Sequence, residues 1–256
     1  MESVCSNCDT EHISECKYCP ECGQRAALHR LTLHDIIHEA IHYFTHADKG
    51  IFQLIKALAF KRGEVAREYI SGRRKKYFPP LNFLLIIAAI FVFMATLNLG
   101  TPTAPAVTTG EQMELFQYRA HLVNVYVTRY SNIMALLSLP ITSFFYWLFY
   151  RKRPFNYIEH LVAGMYMLGF TLLVYTFVLL PIENIFNIQR NAMKLFFLLF
   201  QLVYFTMFYA SFMSDAKNRF SWRSFSATFV GILFWVILTT AVIQFYIMTG
   251  FWGLAA

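Results

Sequence analysis

The chain has 256 residues, of which 57% are hydrophobic and only 14% are charged. An ordinary soluble domain carries about 25% charged residues, so this composition excludes that class and indicates a protein of the lipid bilayer. The formal net charge of +7 does not indicate nucleic acid, because the positive charge lies almost entirely after an acidic N-terminal segment.

That acidic segment, the head (residues 1–26), contains two Cys-x-x-Cys pairs separated by ten residues, Cys5 with Cys8 and Cys19 with Cys22. This spacing is typical of two knuckles whose four thiolates form a tetrahedral zinc site, and Gly23 lets the chain turn after the second knuckle. Four thiolates leave no open coordination position, so the predicted Zn²⁺ is structural. Cys16 is a spare thiol, and two disulfides are the alternative.

The connector (residues 27–80) contains two predicted amphipathic helices that are too short and too charged to span the bilayer. Thr32 and Asp35 form a capping-box pattern that opens the first helix near Leu33. The second helix covers residues 51–58. We expect both helices to lie at the membrane interface or to dock beneath the bundle.

Histidine recurs at every fourth position of the first connector helix, as His34, His38, His42 and His46. Imidazoles on successive turns can share a metal ion, and their protonation near neutral pH can change how the helix docks on anionic lipid. The alternative is the polar side of an ordinary amphipathic helix, because no carboxylate is clearly placed beside the stripe.

The connector ends in a run of four basic residues, Arg73, Arg74, Lys75 and Lys76. Such a run directly before a transmembrane helix can bind the headgroups of anionic lipids, since the guanidinium of Arg can donate two parallel hydrogen bonds to a phosphate. The alternative is an anchor that only fixes the topology of the first span.

The remaining residues, 81–256, contain five continuous apolar segments at about 81–99, 131–150, 161–182, 195–213 and 225–248. Each is long enough, as a helix, to cross roughly 30 Å of hydrocarbon. The sequence therefore predicts an all-α membrane protein with five transmembrane helices. Alternate threading brings the main basic groups to one side, and the positive-inside rule makes that side cytoplasmic. The N-terminus is then inside and the C-terminus outside.

Glu159 and His160 lie at the predicted cytoplasmic mouth of the third span. A carboxylate and an imidazole at such a place can exchange protons or bind a headgroup amine. The alternative is an ordinary helix start, in which the carboxylate favours the positive end of the helix dipole.

Three sequence stretches also carry a family resemblance: YCPECGQ at residues 18–24, REYISGRRKKY at 67–77 and EHL at 159–161. With them, the chain resembles the bacterial membrane proteins grouped as domain-of-unknown-function family 3667. The resemblance implies a zinc-ribbon head on a transmembrane bundle in the bacterial cytoplasmic (inner) membrane. It implies no activity, because none is assigned to the family.

On these grounds we expect a non-enzymatic membrane module that binds a cytoplasmic protein or membrane lipids, including anionic ones, and no nucleic acid. Homo-oligomerisation is left open. The alternatives are a transporter and a lipid-active enzyme that uses Glu159 and His160 at the cytoplasmic surface. GxSxG and phosphate-binding glycine loops are absent from the sequence, which disfavours an enzyme; HExxH occurs once, at residues 38–42.

Overall fold

A computed structural model describes residues 2–13, 16–25, 30–43, 50–98, 118–120, 123, 131–186, 188–213 and 221–249. In the head, two short strands, β1 (Glu2–Val4) and β2 (Glu11–Ile13), pair in antiparallel register. The connector helices are α1 (Leu33–Tyr43), α2 (Gly50–Phe60) and α3 (Gly63–Ile70), and a 3₁₀ turn (Arg74–Lys76) follows them.

The bundle consists of α4 (Pro80–Asn98), α5 (Ser131–Phe149), α6 (Tyr157–Val174), α7 (Leu180–Ile185), α8 (Arg190–Met213) and α9 (Trp222–Thr249). A π turn (Tyr175–Leu179) joins α6 to α7, so the two form one continuous helical segment. The prediction of an all-α membrane protein is confirmed.

Within the described residues, four helical segments are long and apolar enough to cross a membrane: Arg74–Met94, Tyr157–Ile185, Asn191–Met213 and Trp222–Thr249. The chain is therefore a multi-pass membrane protein. The remaining predicted span corresponds to α5, whose apolar part, Ile133–Phe149, is shorter. A fifth crossing by α5 stays a prediction. The predicted end of the first span, Leu99, lies outside the described residues.

At one end of the bundle, the starts of some helices lie beside the ends of others. We call this the basic end, because the 3₁₀ turn Arg74–Lys76 precedes α4 there. The Tyr150 hydroxyl, just after α5, lies 2.6 Å from the Ser224 hydroxyl near the start of α9. The Ser211 hydroxyl, near the end of α8, donates to the Lys61 carbonyl of the connector at 3.2 Å. Five spans threaded alternately, as the sequence predicts, would have this arrangement.

The connector helix α3 packs into the basic end of the bundle. Val65, Ala66 and Tyr69 are each 0% exposed. Gly63 lies so close to α8 that an added Cβ would stand 2.1 Å from the carbonyl oxygen of Phe208. Burying a large apolar side chain contributes about 1.5–3 kcal/mol, so this contact fixes the connector firmly. Of the two predicted arrangements, the structure has the connector docked beneath the bundle.

The first connector helix begins where the sequence predicted. The Thr32 amide donates to the Asp35 carboxylate at 2.9 Å, and the Asp35 amide donates to the Thr32 hydroxyl at 3.3 Å, which confirms the capping box before α1. The predicted second helix is α2. Helix α3 was not predicted, because its eight residues are shorter than the window over which a helical period can be recognised.

Candidate metal site and its attachment to the bundle

The two cysteine pairs of the head have the same backbone fold. The amide of Asp9 donates to the Cys5 carbonyl at 2.9 Å, and the amide of Gly23 donates to the Cys19 carbonyl at the same distance. Asp9 and Gly23 each follow the second cysteine of a pair, and both have positive φ, at 59° and 65°. Glycine and aspartate are among the residues that enter this left-handed region most readily. The predicted turn at Gly23 is confirmed.

These two turns bring four sulfur atoms together. All four Sγ atoms lie within 4.8 Å of one another, and Cys5 is 3.6 Å from Cys22, as Cys8 is from Cys19. A tetrahedral zinc ion with Zn–S bonds of about 2.3 Å separates its sulfurs by about 3.8 Å, so the cluster fits one metal ion. All are free thiols rather than disulfides, and Cys16 is exposed and lies outside the cluster.

The environment of the thiols differs from one cysteine to the next. Hydrogen bonds with the side chain and backbone of Thr10 lower the pKa of Cys8 to about 6. Desolvation raises the pKa of Cys22 to about 11. A bound cation stabilises the thiolate form of every ligand, so metal binding at this cluster would release protons, and would release more of them at low pH.

The head and the start of the connector contact the basic end of the bundle at one place each. At the first, the side-chain amide of Gln24 donates to the carbonyl of Gly72, which lies between α3 and the 3₁₀ turn. Gln24 is only 3% exposed, so this bond is shielded from water. A buried amide that kept no partner would cost about 1–3 kcal/mol, and the contact therefore holds the second knuckle against the connector.

At the second place, Arg30 binds the start of α6. Its Nε and Nη2 atoms donate to the two carboxylate oxygens of Glu159, each at 3.1 Å. Nη2 also donates to the carbonyl of Pro154. Two parallel bonds from a guanidinium to a carboxylate fix orientation as well as charge, so Arg30, just before α1, is held at the start of α6.

Glu159 also caps α6. Its carboxylate accepts from the Asn156 amide at 2.7 Å, while its own amide donates to the Asn156 side chain at 2.8 Å. This is a reciprocal capping box at the positive end of the helix. The side chain is 7% exposed, and its carboxylate is bound by both Arg30 and Asn156. Its geometry matches the helix-start alternative rather than a catalytic acid.

His160 does not pair with Glu159. It is 0% exposed, and neither ring nitrogen has a hydrogen-bond partner among the described residues. Its ring is parallel to that of Tyr209, with centroids 6.0 Å apart, and meets Phe155 and Phe212 edge to face. The sequence placed this residue at the mouth of a span beginning at 161, but α6 begins at Tyr157 and carries the ring into the core.

The basic run is partly neutralised by one acid, Glu68 of α3. Lys76 Nζ lies 2.5 Å from its carboxylate, the Tyr77 hydroxyl donates to it at 2.8 Å, and Arg73 lies 3.9 Å away. Burial acts to raise the pKa of Glu68, but the hydrogen bonds from Lys76 and Tyr77 outweigh it and lower the pKa. Lys75 is exposed on the same turn. Headgroup binding by Arg73, Arg74, Lys75 and Lys76 stays a prediction.

The histidine stripe is described at two positions. The His34 and His38 rings are exposed and stack with centroids 5.9 Å apart and an angle of 24° between their planes. The side chain of His42 and the whole of His46 lie outside the described residues. A second metal site or a pH response at this stripe stays a prediction.

Three residues at these two contacts were not recognised from the sequence: Gln24, Arg30 and Asn156. Asn156 could have been found, because Asn-x-x-Glu before an apolar run is a capping-box pattern. Gln24 and Arg30 give no local signal, since their partners lie 48 and 129 residues away along the chain.

Residues 48–92 match the model of a family described as Protein of unknown function (DUF3667). The predicted resemblance to this family is confirmed for the stretch that contains α2, α3, the basic run and most of α4. The cysteine head and the Glu159–His160 pair lie outside the matched residues. No curated protein and no solved structure matches the chain.

Proposed function

Because the matching family has no assigned activity, we propose from the geometry that the chain is a non-enzymatic membrane module whose zinc-loaded head is a cytoplasmic docking surface for a basic protein. The observation that carries this proposal is the closed cluster of four cysteine sulfurs in a head that is attached to the bundle. The head can thus present a fixed surface at the membrane.

Zinc is the metal that the donor set favours. Four thiolates at tetrahedral spacing are typical of structural zinc, and the oxygen-preferring cations Mg²⁺ and Ca²⁺ do not use such ligands. Because the cluster contains all four sulfurs, the metal would have no open position for a substrate. Its role would be to fold a segment that is too small to form a hydrophobic core of its own.

The outer surface of the head supports a protein partner. Val4 is 61% exposed and Tyr18 is 58% exposed, so the head presents two apolar side chains that a partner could cover. Exposed acids, Asp9, Glu11 and Glu21, lie on the same small unit. Together, the carboxylates and the apolar side chains complement a basic protein surface with apolar parts. The carboxylates also repel phosphate.

The assignment of the basic end to the cytoplasm rests on the positive-inside rule. The head and the basic run both lie at this end. Three further basic residues lie there directly after α5: Arg151, Lys152 and Arg153. The reducing cytoplasm would also keep the four thiols available for metal. For the membrane itself we propose the bacterial inner membrane, by the family resemblance alone.

The test is site-specific photocrosslinking in intact cells. A photoreactive phenylalanine replaces Tyr18, and the matched control replaces Phe229, which is 48% exposed on α9. The proposal predicts one discrete protein adduct at Tyr18 that disappears in Cys5→Ser and weakens in Glu21→Lys. Adducts at Tyr18 that are lipid only, or that persist in Cys5→Ser, would contradict the docking function.

No described contact favours the two alternative functions. A lipid-active enzyme needs Glu159 and His160 to reach a substrate, but Arg30 and Asn156 engage the first and aromatic rings enclose the second. For a transporter, the candidate spans would need ionisable groups along a path through the membrane. Glu159 and His160 lie at one end of α6 rather than at mid-span.

A further inference from the structure

The connector helix α2 packs against the rest of the protein with one side only. Leu54 and Leu58 are each 0% exposed and belong to the hydrophobic core. At about 100° per residue, Phe52, Lys56 and Phe60 lie on the opposite side of the helix. Phe52 is 81% exposed, Phe60 is 76% exposed, and Lys56 is exposed between them. We call these three residues the outer face of α2.

The composition of α2 is that of a helix in contact with lipid. Its 11 residues include only two polar side chains, Gln53 and Lys56, and no acid. A helix that is apolar on all sides is either enclosed by protein or surrounded by hydrocarbon. An apolar helix of this length is too short to span the bilayer and is typical of a core helix or of a segment at the membrane interface. Because its outer face is open, α2 matches the second type.

Two tyrosine contacts give the level of α2 along the bundle. Tyr166, nine residues after the start of α6, donates to the Phe78 carbonyl at 2.8 Å, and a Cβ added at Gly50 would lie 3.9 Å from the Phe78 amide nitrogen. Tyr204, nine residues before the end of α8, donates to the Leu58 carbonyl at 3.1 Å. At 1.5 Å per residue, nine helical residues cover about 13 Å.

Both ends of α2 therefore lie at about the same level, so the helix runs across the bundle axis rather than along it. The candidate span Tyr157–Ile185 has 29 residues. It extends about 43 Å, which is about the thickness of a bilayer with its headgroups. A level about 13 Å from the basic end lies just inside the hydrocarbon, because each headgroup layer is about 6 Å thick. The outer face of α2 then contacts lipid rather than water.

The charge on the outer face selects the lipid. Within the part of the chain that the structure describes, Lys56 has no salt bridge. A lysine at this level extends its hydrocarbon stem among the acyl chains, and its ammonium reaches the headgroups. Since α2 carries no acid that would repel a phosphate, its outer face complements an anionic phospholipid.

We infer that α2 lies in the plane of the membrane and that its outer face binds an anionic phospholipid of the leaflet at the basic end. Phe52 and Phe60 contact the acyl chains, and Lys56 binds the phosphate. This surface is independent of the proposed docking function, which uses the head. It also differs from the basic run, none of whose residues belongs to α2.

The experiment uses the full chain in nanodiscs of phosphatidylcholine with a minor fraction of phosphatidylglycerol. A photoreactive phenylalanine replaces Phe52, and mass spectrometry identifies the adducts. Tyr18 of the head, 58% exposed, is the matched position for an aromatic side chain in water. Phe93, 63% exposed within the candidate span Arg74–Met94, is the matched position for one in lipid.

We expect lipid adducts at Phe52 and Phe93 and none at Tyr18. Among the Phe52 adducts, phosphatidylglycerol should be enriched about fivefold over its share of the bilayer, the effect expected of one lysine near an anionic headgroup. Lys56→Glu should remove this enrichment, whereas Lys56→Arg should preserve it. Lys75→Glu makes the same charge change at an exposed lysine of the basic run and should leave the enrichment unchanged.

The inference would be overturned if Phe52 gave no lipid adducts while Phe93 did, because α2 would then face water. Adducts at Phe52 that join two copies of the chain would also overturn it, as would an enrichment that persists in Lys56→Glu. None of these results bears on the docking function, whose readout is the protein adduct at Tyr18 in cells.

Discussion

The head and the bundle are held together by different forces. Among the described residues of the head, the buried side chains are Cys5, Cys19 and Gln24. The bundle buries large aromatic rings instead, and Tyr146 and Tyr209 stack there with centroids 3.4 Å apart. We therefore expect the head to depend on a bound metal, whereas the bundle is stabilised by its own packing. A change aimed at one region should leave the other intact.

The largest expected effect comes from removing one sulfur of the cluster. Cys19→Ser should abolish tight metal binding and unfold the head, because structural zinc contributes about 10–16 kcal/mol of apparent binding free energy in small zinc domains. Limited proteolysis should then cut within the head while the bundle remains protected. Cys16→Ser is the control and should retain the metal. A head that stays protease-resistant in Cys19→Ser would show that it folds without metal.

The next effect concerns the packing of the connector. Gly63→Ala would place a Cβ 2.1 Å from the Phe208 carbonyl and 2.5 Å from the Phe212 amide. Backbone cannot move aside as a flexible side chain can, so we expect a loss of about 1–3 kcal/mol in the free energy of unfolding.

Thermal unfolding in detergent measures this loss. Gly50→Ala is the matched control, because the added Cβ would meet Phe78 at 3.9 Å, an ordinary contact. Equal melting temperatures for the two variants would mean that α3 does not pack against α8 as described.

A smaller effect is expected where the two regions meet. A double-mutant cycle of Arg30→Ala and Glu159→Gln should give a coupling energy of about 1 kcal/mol, since the pair is bidentate but Arg30 is 56% exposed. Its readout is the protease sensitivity of the segment between the head and α1. Arg25→Ala should have no such coupling with Glu159→Gln. A coupling of zero for Arg30 would show that the head is not attached through α6.

The smallest effect is a pH dependence at the basic run. The pKa of Glu68 is lowered in the folded chain, so its contribution to stability is present above the ordinary glutamate pKa of about 4.3 and is lost as the pH falls through the folded value. Glu68→Gln should lower stability by about 0.5 kcal/mol at neutral pH and flatten the acid-induced decrease. Melting curves between pH 3 and 7 check this; an unchanged acid slope would contradict it.

The sequence predicted those parts of the molecule that depend on local patterns. The apolar segments gave the bundle helices, and the two Cys-x-x-Cys pairs gave the cluster, because each pair closes its own turn. The capping box at Thr32 was recognised for the same reason: donor and acceptor lie three residues apart.

The features that were missed depend on contacts between distant residues. The burial of His160 follows from where α6 begins and from rings on α8 such as Tyr209, neither of which a local pattern specifies. The role of Glu159 likewise needed its distant partner Arg30. The π turn at Tyr175–Leu179 has only one sequence signal, Pro181. A proline indicates that a helix is interrupted, but not whether the interruption is a kink, an end or a π turn.

We propose that one metal ion, held by four cysteines, organises the head. Native mass spectrometry of the intact chain, released gently from its membrane, can detect this ion. We expect a mass excess of a single zinc ion per chain that is lost in Cys8→Ser and retained in Cys16→Ser. A metal-free mass that also lacks the cysteine hydrogens, as two disulfides would give, would contradict it.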